Sequence, residues 1–217
     1  MYMSVRLISH SQSPEHASMQ DMVAYCARVS NPANQNNITT NEKLIRYLLK
    51  HQHWSPLEMV SICLEIETTR DIARQILRHR SFSFQEFSQR YAVADLGFTC
   101  RETRLQDLEN RQNSLENSDH PLATEWHARQ LQMAELSQQT YRWALDNGIA
   151  KEQARAVLPE GMTKSRMYMN GTLRSWVHYI QLRSGNGTQK EHREIALACA
   201  DAIYSIFPMI KEFISKV

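Results

Sequence analysis

Apolar and polar residues along this chain recur with both of the periods that mark regular secondary structure. Residues 60–67 alternate strictly between apolar and polar side chains, which predicts a strand with one buried face. Residues 173–180 instead repeat their apolar side chains at three- and four-residue spacings, which predicts a helix with one apolar face. Strands and helices are therefore both expected in this chain.

The other predicted elements are mostly helices. Thr188 and Glu191 have the spacing of a capping box, which indicates the start of the last helix. The pattern predicts an α+β fold, mostly helical around one β-sheet, in a single domain that covers residues 1–217. Two further strands are expected at 3–9 and 86–92, and further helices at 14–29, 41–50, 70–80, 122–147, 150–158 and from 188 to about 206.

Residues 102–120 interrupt this pattern with a polar, asparagine-rich stretch. The stretch contains only three leucines, which are too few to form a packed face. We therefore predict a polar insertion that lies on the surface and buries little.

Composition narrows the class of protein. The net charge of +2 argues against a polybasic nucleic-acid arm and against an acidic disordered tail. Of the 25 basic residues, seven are Lys and the other 18 are Arg, the residue better suited to bidentate binding of phosphates and carboxylates. Anionic small ligands are therefore plausible from composition alone.

Neither the cysteines nor the apolar segments indicate export or membrane insertion. The four cysteines form no CxxC pair, which favours reduced thiols. Residues 1–16 lack the apolar run of a signal peptide, and no window is long and apolar enough to span a membrane. We therefore expect a soluble cytoplasmic protein.

The segment 70–91 concentrates the charged and polar residues that could carry chemistry. On a helical wheel its apolar residues form one face, and the opposite face presents Arg74, Gln75, Arg78 and His79. If 86–92 is a strand, Glu86, Ser88 and Arg90 lie on one face of it, beside Arg78 and Arg80. The alternative is that these are solvated residues in ordinary surface ion pairs.

Two further clusters favour ligand binding. His51 and His53 precede a turn at Ser55, and because they lack a matching third ligand we predict no metal site. The polar residues 170–172 open a helix, whose free backbone N–H groups would suit a phosphate. Arg174 and His178 follow on the polar face of that helix, and Arg183 ends it.

Several ordered motifs resemble the flavin-dependent thymidylate synthase family. Arg78-His79-Arg80, seven intervening residues and Ser88 match its RHR-x7-S signature. His53-x-Ser55-Pro56-x-Glu58 is similar to the turn that contacts the flavin in this family. Arg155-x-x-Leu158-Pro159 and the stretch from Leu173-Arg174-Ser175 to Leu182-Arg183 resemble its C-terminal half.

The resemblance implies a reaction, its ligands and their contacts. The reaction would be reductive methylation of dUMP to dTMP, with methylenetetrahydrofolate as carbon donor and with FAD, reduced by NADPH, as cofactor. The family usually forms a homotetramer with shared active sites. Arg183 would favour ionisation of the uracil at N3 and is the expected catalytic residue. The implied dUMP ligands are Gln75, Arg78, Glu86, Ser88, Gln89, Arg90, Arg155 and Arg183, and the implied FAD contacts are Ser55, Arg78, His79, Arg80, Glu86, Thr172, Leu173, Arg174 and His178.

Two other functions stay open at this point. The arginine-rich segment 70–90 could belong to a nucleic-acid-binding or RNA-modifying module, although the balanced charge argues against it. A metal-dependent hydrolase using His51, His53 and Glu58 would lack the HExxH spacing. We expect neither nucleic-acid nor membrane partners.

Overall fold

The centre of the computed structural model, which describes residues 3–214, is a four-stranded antiparallel sheet. Its strands are β1 (Ser4–His10), β2 (Ser61–Thr69), β3 (Ser83–Glu86) and, last in the chain, β6 (Lys164–Thr172), in the order β1-β2-β6-β3. Between them in sequence, β4 (Arg104–Gln106) and β5 (Ser114–Glu116) pair as a separate hairpin.

Helices supply most of the regular structure. They are α1 (Met19–Ala27), α2 (Asn41–Lys50), α3 (Arg70–Ile76), α4 (His120–Asp146), α5 (Lys151–Ala154), α6 (Leu173–Arg183) and α7 (Lys190–Tyr204). Short 3-10 helices lie at Pro32–Asn34, Ser55–Met59, Arg155–Val157 and Pro208–Phe213. The predicted α+β class is confirmed, and among residues 3–214 no helix is long and apolar enough to span a bilayer.

The core lies between one face of the sheet and the helices. Ile62, Leu64 and Ile66 of β2 are fully buried, as their alternation predicted, and helix α7 packs against β1 and α6. The indole N–H of Trp176 in α6 donates to the carbonyl of Ile62 at 3.0 Å, which fixes α6 against the sheet. The opposite sheet face is polar, with the Tyr168 hydroxyl donating to Glu65 at 2.9 Å.

Strand β6 was missed by the sequence analysis, although it pairs with both β2 and β3. Met167, Met169 and Gly171 are buried while Arg166 and Tyr168 are exposed, so the two-residue period is present. Lys164, Arg166 and Gly171 lie within the segment and obscured this period in the sequence. Consequently residues 170–171 end a strand, and only from Leu173 does the predicted helix begin.

The predicted strand 86–92 is wrong in its bounds. Strand β3 ends at Glu86, and Ser88 begins a turn in which its carbonyl accepts hydrogen bonds from the amides of Tyr91 and Ala92. Since the turn breaks the two-residue period, Glu86, Ser88 and Arg90 do not share one face of a strand.

The predicted capping box at Thr188 is also wrong. The N-cap of α7 is Gln189, whose side chain caps no amide, and the amide of Thr188 donates to the carbonyl of Gly185 at 3.4 Å. The Glu191 carboxylate accepts from the Arg104 guanidinium at 2.5 Å. A charge-assisted hydrogen bond from a guanidinium is stronger than one from a neutral backbone amide, which explains why Glu191 pairs with Arg104.

The prediction of an exposed polar insertion at 102–120 is confirmed for its leucines, but it left out a buried contact. Its leucines are exposed, with Leu108 at 91%. Arg104 of β4, however, turns inward to Glu191, which is only 3% exposed. The insertion is therefore attached to the protein by a buried ion pair. The single-domain prediction of 1–217 also includes residues 1–2 and 215–217, which lie outside the described residues.

Candidate active site

The centre of the candidate site joins the signature segment to the end of helix α6. The Arg183 Nε–H donates to Nε2 of His79 at 2.9 Å. Burial, and then the charge of Arg183, lower the pKa of His79 to about 4, so that its ring is neutral and can accept this hydrogen bond. The edge of His79 meets the ring of Tyr179, with the ring centres 4.9 Å apart. Residues a hundred positions apart in sequence thus form one contact.

Three of the expected arginine ligands are available to anions. Arg78 and Arg80 flank His79 and are exposed, and Arg155 lies in the short helix that follows α5. Within residues 3–214, none of these three side chains donates a hydrogen bond to, or forms an ion pair with, another side chain. Free guanidinium groups of this kind suit the phosphates of nucleotides.

Glu86 is held by its protein neighbours. Its Oε1 atom accepts from the Ser165 hydroxyl at 2.9 Å and from Arg70 at 3.4 Å, and its Oε2 atom lies 3.8 Å from Arg74. The side chain is 14% exposed, and Arg70 is 10% exposed. The carboxylate therefore has a fixed position at the end of β3.

The turn after β3 separates the other expected nucleotide ligands. Ser88 Oγ accepts from the amide of Arg90 at 3.4 Å, and Gln89 is buried at 4% exposure. The Arg90 guanidinium lies 3.5 Å from Glu152 of α5 and is more than half exposed. The turn thus leaves Arg90 exposed beside α5 and Ser88 half-buried, and it turns Gln89 inward.

A second group of expected contacts connects the start of α6 with the turn Ser55–Met59. Arg174 forms an ion pair with Glu58. His178 lies against Trp54 with ring centres 4.4 Å apart and ring planes tilted by 56°, and burial followed by the charge of Arg174 lowers the pKa of His178. Ser55 is exposed at the start of the same turn. The histidine, the indole and the ion pair together form a polar and aromatic surface.

The start of α6 offers less to a phosphate than the sequence predicted. The amide of Leu173 donates to the carbonyl of Val60 at 3.0 Å, and the amide of Ser175 donates to the Thr172 hydroxyl at 3.3 Å. The Leu173 side chain is fully buried in the core, so only its backbone could meet a ligand. The amides of Leu173 and Ser175 are therefore already paired within the protein.

The sequence analysis did not include three residues that contact the candidate site, the buried Tyr179 and His192 and the half-buried Gln189. His192 lies between Gln75 and Tyr179, at 3.2 Å and 3.1 Å, and Gln189 accepts from Gln75 at 2.7 Å. The residues are separated by more than a hundred positions from Gln75, and no local pattern links them. The only available signal was a histidine within the apolar repeat of α7.

Comparison with known proteins identifies the family. The family model described as "Thymidylate synthase complementing protein" matches residues 6–209. The chain belongs to this family. The match includes every residue of the candidate site described above.

Relatives within the family cover almost the whole chain. A flavin-dependent thymidylate synthase of Synechocystis is 48% identical over 213 residues, covering 96% of this chain and 97% of the relative. A probable flavin-dependent thymidylate synthase of Paramecium bursaria Chlorella virus 1 is 45% identical, with the same coverage. The crystal structure of the UMP/dUMP methylase PolB from Streptomyces cacaoi bound with 5-Br dUMP is 28% identical, has a TM-score of 0.81, and covers 97% of this chain and 93% of that one.

Proposed function

We propose that this protein is a flavin-dependent thymidylate synthase, which converts dUMP to dTMP by reductive methylation. Methylenetetrahydrofolate is the carbon donor, and FAD, reduced by NADPH, is the cofactor. The observation that carries the proposal is the hydrogen bond from Arg183 to His79, which joins the end of α6 to the signature segment beside exposed Arg78 and Arg80, in a chain of this family.

The state of His79 suits Arg183 for its proposed role. Because the neutral ring occupies only the Nε–H of Arg183, the two terminal nitrogens of the guanidinium stay available to a substrate. A fixed positive charge beside a uracil favours loss of its N3 proton and stabilises the anion as it forms. Arg183 is therefore the proposed catalytic residue.

The proposed dUMP ligands supply a binding group for each part of the nucleotide. Gln75, Glu86, Ser88 and Gln89 offer neutral or acidic partners for the sugar and base, and Arg78, Arg90, Arg155 and Arg183 offer guanidinium groups. A phosphate dianion is matched by such forks. Glu86, held by Ser165 and Arg70, would contribute a fixed acceptor.

The residues present fit FAD in their chemistry. The exposed guanidiniums of Arg78 and Arg80 match a pyrophosphate, and the neighbouring aromatic side chains of Trp54 and His178 offer contacts to a flat ring system. We infer that Ser55, His79, Glu86, Thr172, Leu173 and Arg174 complete this site. When bound, FAD supplies the hydride and carbon-transfer chemistry, and the protein supplies binding and orientation.

Exposure of the site supports shared active sites in a homotetramer. The proposed ligands lie on α3, α6, the ends of β3 and β6, two short 3-10 helices and the turns after α3 and β3, and several are open to solvent. Helix α4 also exposes Trp126, Met133, Leu136 and Trp143, each at 44% or more. Large exposed apolar residues along one helix are typical of a protein–protein interface. Folate and NADPH would then bind between subunits.

A nucleic-acid-binding function has weaker support. Arg74, Arg90 and Arg174 each face a carboxylate, namely Glu160, Glu152 and Glu58. Their charges are locally balanced, whereas a nucleic-acid surface presents a continuous basic patch.

Flavin retention and nucleotide binding together test the proposal. Protein supplied with FAD should keep a flavin absorption band after desalting, and dUMP should perturb that band in a saturable titration. The matched control is UMP at equal concentrations, which distinguishes selection of the deoxyribose from general phosphate binding. A folded protein that retains no flavin would contradict the proposal.

A further inference from the structure

A partly buried chain of hydrogen bonds connects helix α6 to helix α7 through the proposed dUMP ligand Gln75. The Tyr179 hydroxyl lies 3.1 Å from Nε2 of His192, whose Nδ1 lies 3.2 Å from Oε1 of Gln75. The Gln75 amide nitrogen donates to Gln189 at 2.7 Å, and the Gln189 amide nitrogen donates to Glu191 at 2.9 Å. Tyr179, His192 and Glu191 are each 3% exposed or less.

The direction of every hydrogen bond in this chain follows from its carboxylate end. Ionised Glu191 can only accept, so Gln189 must present its amide nitrogen to Glu191 and its carbonyl to Gln75. Gln75 then presents its carbonyl to His192, whose Nδ1 must carry the proton while Nε2 accepts from Tyr179. The carboxylate thus determines both the amide orientation of Gln75 and the tautomer of His192.

Neutral and charged states along the chain agree with this direction. Burial, followed by the charges of Arg183 and His79, lowers the pKa of His192 to about 3, so the ring is neutral. Burial acts to raise the pKa of Glu191, but the hydrogen bonds from Arg104, from its own backbone and from Gln189 outweigh that effect and lower it. The directing carboxylate is therefore ionised at neutral pH.

The polar hairpin supplies the cation that keeps Glu191 ionised. Arg104 of β4 lies 2.5 Å from the carboxylate, and Arg101 lies 3.5 Å from it. The Arg104 side chain is 17% exposed, so this contact is partly shielded from water. A buried carboxylate without its cation would favour the protonated form, which can donate as well as accept.

At its other end the chain meets the centre of the candidate site. The Tyr179 ring packs edge-on against His79, which accepts from Arg183. Gln75 uses one amide hydrogen and one carbonyl lone pair within the chain, and the remaining hydrogen and lone pair stay available to a ligand. Their placement depends on which way the amide is turned.

We propose that His192, Gln189, Glu191 and Arg104 are positioning residues that hold the Gln75 amide in one orientation for dUMP. The inference rests on the proposed function, since it takes Gln75 as a dUMP ligand. It also gives the insertion 102–120 a role, because Arg104 is the residue through which that segment acts on the nucleotide site. Without the chain, the amide of Gln75 can turn over, and its donor and acceptor exchange places.

Two isolated substitutions test the chain at different points. Glu191→Gln keeps the shape but can both donate and accept, and His192→Leu interrupts the chain next to Gln75. For each flavin-loaded variant we expect the KM for dUMP to rise about tenfold, the worth of one net hydrogen bond. We expect kcat at saturating dUMP to change less than about threefold and flavin retention to be unchanged. Arg104→Met should raise KM similarly, and Arg104→Lys should restore part of the loss.

A matched control separates positioning from general loss of stability. Asn41 is 6% exposed and accepts from Arg28 at 2.5 Å in a network between α1 and α2 that contains none of the proposed ligands. Asn41→Ala should lower Tm without changing the KM for dUMP. If Glu191→Gln or His192→Leu fails to fold, the partly exposed Arg104→Met supplies the same measurement.

The two proposals fail in different ways. If the wild-type protein binds neither flavin nor dUMP, the proposed function falls. If the wild-type protein forms dTMP while the chain variants keep the wild-type KM, the positioning role is overturned. It is also overturned if the variants lose flavin and dUMP equally, since that result indicates a merely structural role.

Discussion

Gly171 is required by the close approach of one aromatic ring, so adding a single methyl group there should disturb the candidate site. A Cβ at position 171 would lie 2.6 Å from Cε1 of Phe82 and would clash with Cδ1 as well. The ring cannot easily move away, because it packs edge-on against Trp176 at 4.9 Å and near Tyr179 at 6.0 Å. Phe82 follows Arg80 by two residues, and the strain would therefore reach the signature segment.

The expected cost follows from overpacking in a well-packed core. Gly171→Ala should lower the free energy of unfolding by about 1–3 kcal/mol. For a chain of this size that corresponds to a fall in Tm of about 2–12 °C. Flavin retention should also fall, because a displaced Phe82 would shift the backbone of Arg80, a proposed FAD contact two residues before it. Gly161→Ala is the matched control, since its Cβ would meet only Asp71 Oδ2 at 3.9 Å. It should change Tm little.

A double-mutant cycle identifies the cause. Phe82→Leu alone should cost about 1 kcal/mol, since it loses ring contacts. In the double variant Gly171→Ala/Phe82→Leu the clash is relieved, so the combined loss should be smaller than the sum by at least 0.5 kcal/mol, roughly the lower limit for residues in contact. The free energies come from thermal or urea unfolding. Strictly additive losses, or a Gly171→Ala variant as stable as Gly161→Ala, would refute the reasoning.

Three other outcomes follow from the site. Arg183→Ala should fold, retain flavin and be reduced by NADPH, yet its kcat for dTMP formation should fall about a hundredfold or more. Arg183→Lys should not fully restore kcat, because the planar guanidinium fork is lost, and near-normal turnover of Arg183→Ala would remove Arg183 from the catalytic role. The pKa of His192 is about 3 in the folded protein and about 6.5 in the unfolded chain, so the unfolded chain binds more protons between these values. The contribution of His192 should therefore lower the free energy of unfolding as the pH is lowered through that window, by about 2 kcal/mol at pH 5 relative to pH 8. Urea unfolding at pH 8 and pH 5 measures this, and a His192→Leu variant with an unchanged pH dependence would contradict it. Shortening the hairpin within residues 107–113 should leave Tm and the KM for dUMP unchanged, because that part is mostly exposed and Arg104 is retained. Deletion of 104–119 removes Arg104 and should impair dUMP binding. Equal effects of the two deletions would argue against a role for the contact of Arg104 with Glu191.

Local patterns in the sequence were sufficient for elements whose residues follow one period. Strand β2 and helix α6 appear where alternation and three- or four-residue spacing placed them, and Arg183 ends α6 as expected. Strand β6 was missed because charged residues and Gly171 obscured its alternation. Position 171 shows why a glycine can belong to a strand: the missing side chain makes room for Phe82.

The sequence allowed the residues of the candidate site to be predicted, but not the contacts between them. The signature named Arg78, His79 and Arg80, but the bond from Arg183 to His79 depends on tertiary packing across a hundred positions. The partnership of Arg104 with Glu191 was likewise hidden, and the spacing of Glu191 from Thr188 suggested a cap instead. A carboxylate near a helix start satisfies either role, and only the tertiary approach of Arg104 to Glu191 decides between them.

Transfer of a labelled carbon tests the central claim most directly. Flavin-loaded protein is mixed with dUMP, NADPH and methylenetetrahydrofolate that carries an isotopic label in its methylene carbon, and the nucleotide product is analysed by mass spectrometry. The account predicts dTMP with the label in its methyl group from the wild-type protein, and almost none from Arg183→Ala at equal flavin content. Absence of labelled dTMP from a wild-type protein that retains flavin and binds dUMP would contradict it.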